Sequence, residues 1–149
     1  MPKKVILFLS DYKGNAQEQV YLCPDGSTVN GTQTNEAPVK YLLQAYPDIS
    51  EILCIVTPEA RASALAPFTE MVRAAAPKVK VADIPFAEDQ DFSGSAMKEI
   101  MRFVSAKKKD SILLETTGGF RNAIMYLLLV SRGLSYSGIR TAGAVYSNF

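Results

Sequence analysis

The chain has 149 residues, 48% apolar and 21% charged, the composition of a folded domain with one core and not of a disordered chain. Sixteen basic residues against fifteen acidic give a net charge of +1, too small a surplus for wrapping duplex nucleic acid but compatible with a small anion held by local charges. There is no histidine, which removes Ser-His-Asp and Cys-His catalysis and most zinc sites, and the longest apolar run, Ala123 to Val130, falls far short of the roughly 20 residues that span a bilayer.

Val5 to Leu9 is an unbroken apolar run and predicts a central strand buried on both faces, as in a parallel sheet. It turns polar at Ser10-Asp11, too soon for a secretory signal. A polar loop, Asp11 to Ala16, follows. Gln19 to Cys23 and Ser27 to Val29 flank the turn residues Pro24-Asp25-Gly26 and predict a small hairpin. Thr34 or Asn35 caps a helix that runs to about Tyr46, with Pro38 in its first turn. Glu51 to Val56 is a second buried strand. An alanine-rich helix from about Glu59 to Ala76 carries a break or kink near Pro67. Val79 to Ile84 is a third strand, and residues 85 to 94 form a polar loop. Ser95 to Lys107 is an amphipathic helix with Met97, Ile100, Met101 and Val104 on one face. Ser111 to Glu115 is a fourth strand, Phe120 to Arg132 a helix with Gly133 as its C-cap, and Thr141 to Tyr146 a last strand.

Strands and helices alternate with short connections and no interdomain linker. That is the pattern of one doubly wound, mostly parallel α/β domain over residues 1–149, with helices on both faces and a small β-hairpin insertion. Cys54 lies within a strand and belongs to the core. Nothing requires it to pair with Cys23, so a reduced, cytoplasmic protein is expected.

In open parallel sheets ligands bind beyond the carboxyl ends of the strands, where the strand order reverses. Two segments qualify. One follows the first strand: Ser10, Asp11, Tyr12, Lys13, Gly14 and Asn15. The other follows the fourth: Thr116, Thr117, Gly118, Gly119, Phe120, Arg121 and Asn122. The second is the more informative. Its glycines allow close backbone approach, and N–H groups before a helix favour phosphate. Arg121 in a first helical turn opposes the helix dipole, a cost that an anion would relieve. The plain alternative is a tight turn with Arg121 solvated. The glycines match neither GxGxxG nor a Walker sequence. In the first loop Ser10 is the better contact, because the charge of Asp11 repels phosphate.

The helix from 120 to 132 is apolar nearly all round. It needs a second cover: another copy of the chain, the hairpin at 19 to 30, or a domain outside this sequence. Lys107 to Lys109 reads as a solvated helix end. Glu88, Asp89 and Asp91 match no metal motif, so no metal or cofactor is expected. Glu115, at a strand end, more often caps or pairs than acts as a base.

The combination of VILFLS, ILLETTGGFRNAIMYLLLVSRG and AVYSNF resembles the CARF domain, the CRISPR-associated Rossmann fold. Glu115, Thr117, Gly119, Phe120 and Arg121 match its strand–turn–helix motif. The likeness is close over residues 112 to 133 and covers the rest only in element order. It implies a Rossmann-like sheet and a homodimer that binds cyclic tetra- or hexa-adenylate, the second messenger of type III CRISPR antiviral defence. The ring would lie across the dimer axis on Ser10 to Asn15 and Thr116 to Asn122, with Tyr12, Phe120 or main-chain groups at the adenines.

The resemblance also implies a sensor that allosterically controls a separate effector. The chain stops at Phe149 just after a core strand, so the sensor part of a longer protein is expected. Some CARF domains are ring nucleases, in which a ribose 2′-OH attacks the adjacent phosphate and leaves a 2′,3′-cyclic phosphate. Ser10, Lys13, Thr116, Thr117 and Arg121 are the residues able to align and stabilise that step. Without histidine, cleavage is expected to be slow or absent. A generic Rossmann-like nucleotide-phosphate binding protein is the remaining alternative.

Overall fold

The apolar runs become a five-stranded parallel sheet in the computed structural model, which describes residues 2–12, 14, 16–86, 95–105, 111–119 and 122–147. The sheet comprises β1 (Lys3–Phe8), β4 (Ile49–Val56), β5 (Lys80–Pro85), β6 (Ser111–Glu115) and β7 (Thr141–Val145). Their order is β5-β4-β1-β6-β7, with every pairing parallel. β2 (Gln19–Leu22) and β3 (Thr28–Gly31) form the expected antiparallel hairpin, turned through Gly26 at φ +86°.

The sheet is covered on both faces, which is why its inner strands are solid apolar runs. On one face α1 (Glu36–Ala45), α2 (Pro58–Ser63) and α3 (Leu65–Ala75) place Val39, Leu42, Phe68 and Val72 against Val5, Leu7, Ile52 and Cys54. On the other, α4 (Ser95–Ser105) and α5 (Ala123–Tyr136) place Ile100, Val104, Leu127 and Val130 against Ile6, Phe8, Leu53 and Leu114. Successive residues of β1 therefore feed opposite cores, as the two-residue period of a strand requires. Cys54 is buried, and both cysteines are free thiols. None of the described helices is long and apolar enough to cross a membrane.

The helix after β4 breaks near Pro67 as expected, at Ala64. Proline disrupts the bond to the carbonyl four residues back, here that of Ser63, so the break falls a turn earlier than the proline itself. Gly133 does not end α5. The buried positions Ala123, Leu127, Val130 and Leu134 continue past it at helical spacing, and the helix closes at Ser137. Gly138 at φ +80° carries the stop: Ile139 N–H reaches Leu134 O (3.0 Å) and Gly138 N–H reaches Ser135 O (3.1 Å), a Schellman closure. α5 also starts at Ala123, later than expected at Phe120.

Opposite its buried stripe, α5 exposes Ile124, Met125 (60%), Leu128 (59%) and Leu129 (52%). The hairpin does not cover them. Its Cys23 and Val29 pack instead on Ala37 of α1. Residues 88–91, the acidic loop, and Lys107 to Lys109 lie outside the described residues.

Candidate functional site

Counted in chain order within the sheet, the strands run 3-2-1-4-5, so the order reverses between β1 and β6. That crevice is where open α/β sheets bind ligands. Leu7 pairs with Glu115, so the chain runs on from both strands side by side. The two segments singled out from the sequence meet there: Gly119 N–H donates to Ser10 Oγ at 2.9 Å, across 109 residues of sequence.

A buried polar network holds this junction from below. Glu115 and Asn35 are both completely buried. Asn35 Nδ2 donates to Phe8 O (3.0 Å) and to Glu115 Oε2. Its Oδ1 accepts from Ser10 N–H (2.9 Å) and from Gln33 Nε2 (2.9 Å), and Gln33 Nε2 also reaches Ser10 O (3.0 Å). Glu115 Oε1 accepts from Thr117 N–H at 2.6 Å. One amide side chain thus ties the ends of β1 and β6 together. Burial pushes the Glu115 carboxyl up from its ordinary 4.5 to about 7, against the pull of the bonds from Thr117 and Asn35. Asn35 occupies the N-cap position of α1 as expected, but its side chain makes no capping bond because it is turned into this network.

The glycines are required by close approach. A Cβ on Gly118 would stand 2.4 Å from both Asn35 Nδ2 and Phe8 O. Gly119 has φ +92°, and a Cβ there would lie 2.6 Å from Phe8 Cβ.

The threonine hydroxyls are used inside the fold. Thr116 Oγ1 donates to Val145 O (3.0 Å), and Thr117 Oγ1 accepts from Ser147 N–H (2.8 Å), which joins the ends of β6 and β7. Thr117 keeps its own hydroxyl hydrogen to donate. The N–H groups of Thr117 and Gly119 are likewise engaged, so a phosphate that takes the Gly119 N–H has to displace or share Ser10.

Asp11 is exposed at the crevice. Tyr12 turns away from it: its N–H donates to Ser63 Oγ (2.9 Å), and it lines a separate cleft of about 100 Å³ with Gln33, Glu36 and Met71. Gly14 is exposed, with open space where a Cβ would be. Asn122 is the exposed N-cap of α5, without a side-chain bond to it. Lys13, Asn15, Phe120 and Arg121 lie outside the described residues.

Sequence reasoning missed two residues on the β4 side. A cleft of about 270 Å³ opens between the ends of β1 and β4, and Thr57 and Glu59 line it together with Ser10, Asp11 and Gly119. The signal was present as Thr-Pro-Glu directly after a buried strand, an N-cap pattern at the carboxyl end of the sheet. Thr57 Oγ1 accepts from Ala60 N–H at 3.2 Å. In comparison with known proteins, the chain matches no family model and no curated protein.

Proposed function

We propose that this chain is a CARF-like sensor that binds cyclic tetra- or hexa-adenylate as a homodimer and passes the binding event to an effector in type III CRISPR antiviral defence, in the cytoplasm. One observation carries the reading: the Ser10 loop and the Thr116–Gly119 turn meet in the crevice where the strand order reverses, with Ser10 Oγ on Gly119 N–H. A phosphate oxygen is a stronger acceptor than a serine hydroxyl for a backbone N–H. Exchanging the two would free the Ser10 hydroxyl while Asn35 keeps its bond from the Ser10 N–H, so binding acts at the end of β1. The exposed apolar face of α5 supports the dimer, since a patch of Met and Leu rarely stays bare.

The test is calorimetric titration with cyclic tri-, tetra- and hexa-adenylate and a linear oligoadenylate control. The reading expects one ring bound per two chains. No binding of any ring overturns it.

A further inference from the structure

We infer that the open edge of β2 is a pairing surface for the β2 strand of a second copy of this chain, antiparallel about a two-fold axis at Tyr21. The contact is separate from the α5 face and does not rest on the proposed function.

The alternation of bonds in the hairpin decides which groups face outward. Cys23 N–H donates to Ser27 O at 2.8 Å, and Leu22 stands opposite Thr28 in the register. Bonded and non-bonded pairs alternate along an antiparallel ladder. Tyr21 and Gln19 therefore exchange bonds with Val29 and Gly31, and Val20 and Leu22 turn their N–H and C=O groups to the outer edge. The far edge of β3 is held by α1. There Lys40 Nζ donates to Asn30 O (2.8 Å), and Glu36 Oε2 accepts from Thr32 N–H (3.0 Å). The edge of β2 carries neither charge nor proline, the devices that usually blunt an edge strand, and Val20 (69%) and Leu22 (79%) are exposed on it. A groove of about 690 Å³ lies against this strand, walled by Pro38, Tyr41 and Tyr146 and lined by no charged residue.

The occupant follows from self-complementarity. The outward groups sit two residues apart, so a two-fold axis at Tyr21 sets Val20 opposite Leu22 of the partner subunit, and the reverse. Each pair exchanges two bonds, and every outward group of both strands is satisfied. The exposed Val and Leu side chains then meet on one face. Charge agrees with this register, which sets Glu18 opposite a proline and Gln17, an amide, opposite the carboxylate of Asp25. Moving the axis to Val20 sets Glu18 against a leucine, and moving it to Leu22 sets Val20 against Pro24, which has no N–H to give.

Two short strands make a weak contact, open at micromolar and formed at millimolar chain concentration. The experiment is amide hydrogen exchange by nitrogen-15 NMR over that range, in the parent chain and in Leu128→Glu, where α5 does not contribute. Raising the concentration should slow the Val20 and Leu22 amides by about ten-fold and leave Thr28, on the far edge of the hairpin, unchanged. Val20→Pro removes an N–H that the hairpin itself does not use, so it should abolish the slowing at Leu22 while the contact between Tyr21 and Val29 persists. Leu22→Lys, which keeps every backbone group, should weaken the slowing at Val20. Exchange at Val20 and Leu22 that is independent of concentration, or slowing that survives in both variants, overturns the pairing. Slowing produced only by an added extended apolar peptide assigns the edge to a foreign strand and overturns it as well.

Discussion

Replacing Asn35 by aspartate changes one atom and tests whether the network under the crevice holds the strand ends. In Asn35→Asp an acceptor replaces Nδ2, the donor to Phe8 O and to Glu115. Loss of a hydrogen bond to a buried carboxylate costs about 1.5–3 kcal/mol, and a buried carbonyl left without its donor costs about 1–3 kcal/mol more. Above pH 7 two carboxylates face each other, which adds repulsion. The sum, about 3–6 kcal/mol, is a large share of the 5–15 kcal/mol that ordinary domains possess. Lowering the pH from 9 to 7 should return part of it, because the facing carboxyls then hold one proton between them, which restores an O–H donor. Urea denaturation of the variant and the parent at pH 7 and pH 9 measures both effects. A variant within about 1 kcal/mol of the parent at pH 9, or one equally destabilised at both pH values, refutes the reasoning.

The raised carboxyl of Glu115 makes the parent protein's stability fall as pH rises. The folded state keeps its proton up to about 7 while the unfolded chain loses it near 4.5, so the contribution is complete below 4.5 and lost through 7, about 3 kcal/mol in all. Equilibrium denaturation across that window should show the fall, and Glu115→Gln should be flat there. Asp48, held below its ordinary 3.8 chiefly by the bond from Lys3, acts in the opposite sense under more acid conditions. Gly118→Ala should destabilise by about 1–3 kcal/mol through the clash with Asn35 and Phe8 O, whereas Gly133→Ala, with open space at its Cβ inside α5, should stabilise by about 0.5–1 kcal/mol. Thermal melts of the two variants moving in the same direction contradict that account. If α5 is the dimer face, the parent sediments as a dimer and Leu128→Glu as a folded monomer; a monomeric parent removes α5 from the proposal.

The inner strands β1, β4 and β6 were legible because each is an apolar run covered on both faces, and the alternation of strands with helices sets the topology class. The end of α5 was misjudged because a local glycine signal at Gly133 competes with Leu134, whose place in the core carries the helix one turn further. The crevice was legible from Thr-Thr-Gly-Gly standing after a buried strand. The uses of its groups were not. Thr116 and Thr117 are engaged by residues about thirty positions away, and Asn35, which looks like an ordinary cap, faces a carboxylate eighty positions on. Such pairings depend on the register of β6 beside β1 and β7, which no local pattern encodes.

The most direct measurement is calorimetry with cyclic tetra- and hexa-adenylate, followed by chromatography of the mixture. The account predicts one ring per two chains and, with no histidine in the chain, a ring recovered intact. Failure of both rings to bind contradicts the central claim, and a ring recovered as 2′,3′-cyclic phosphate products contradicts the assignment as a sensor without cleavage.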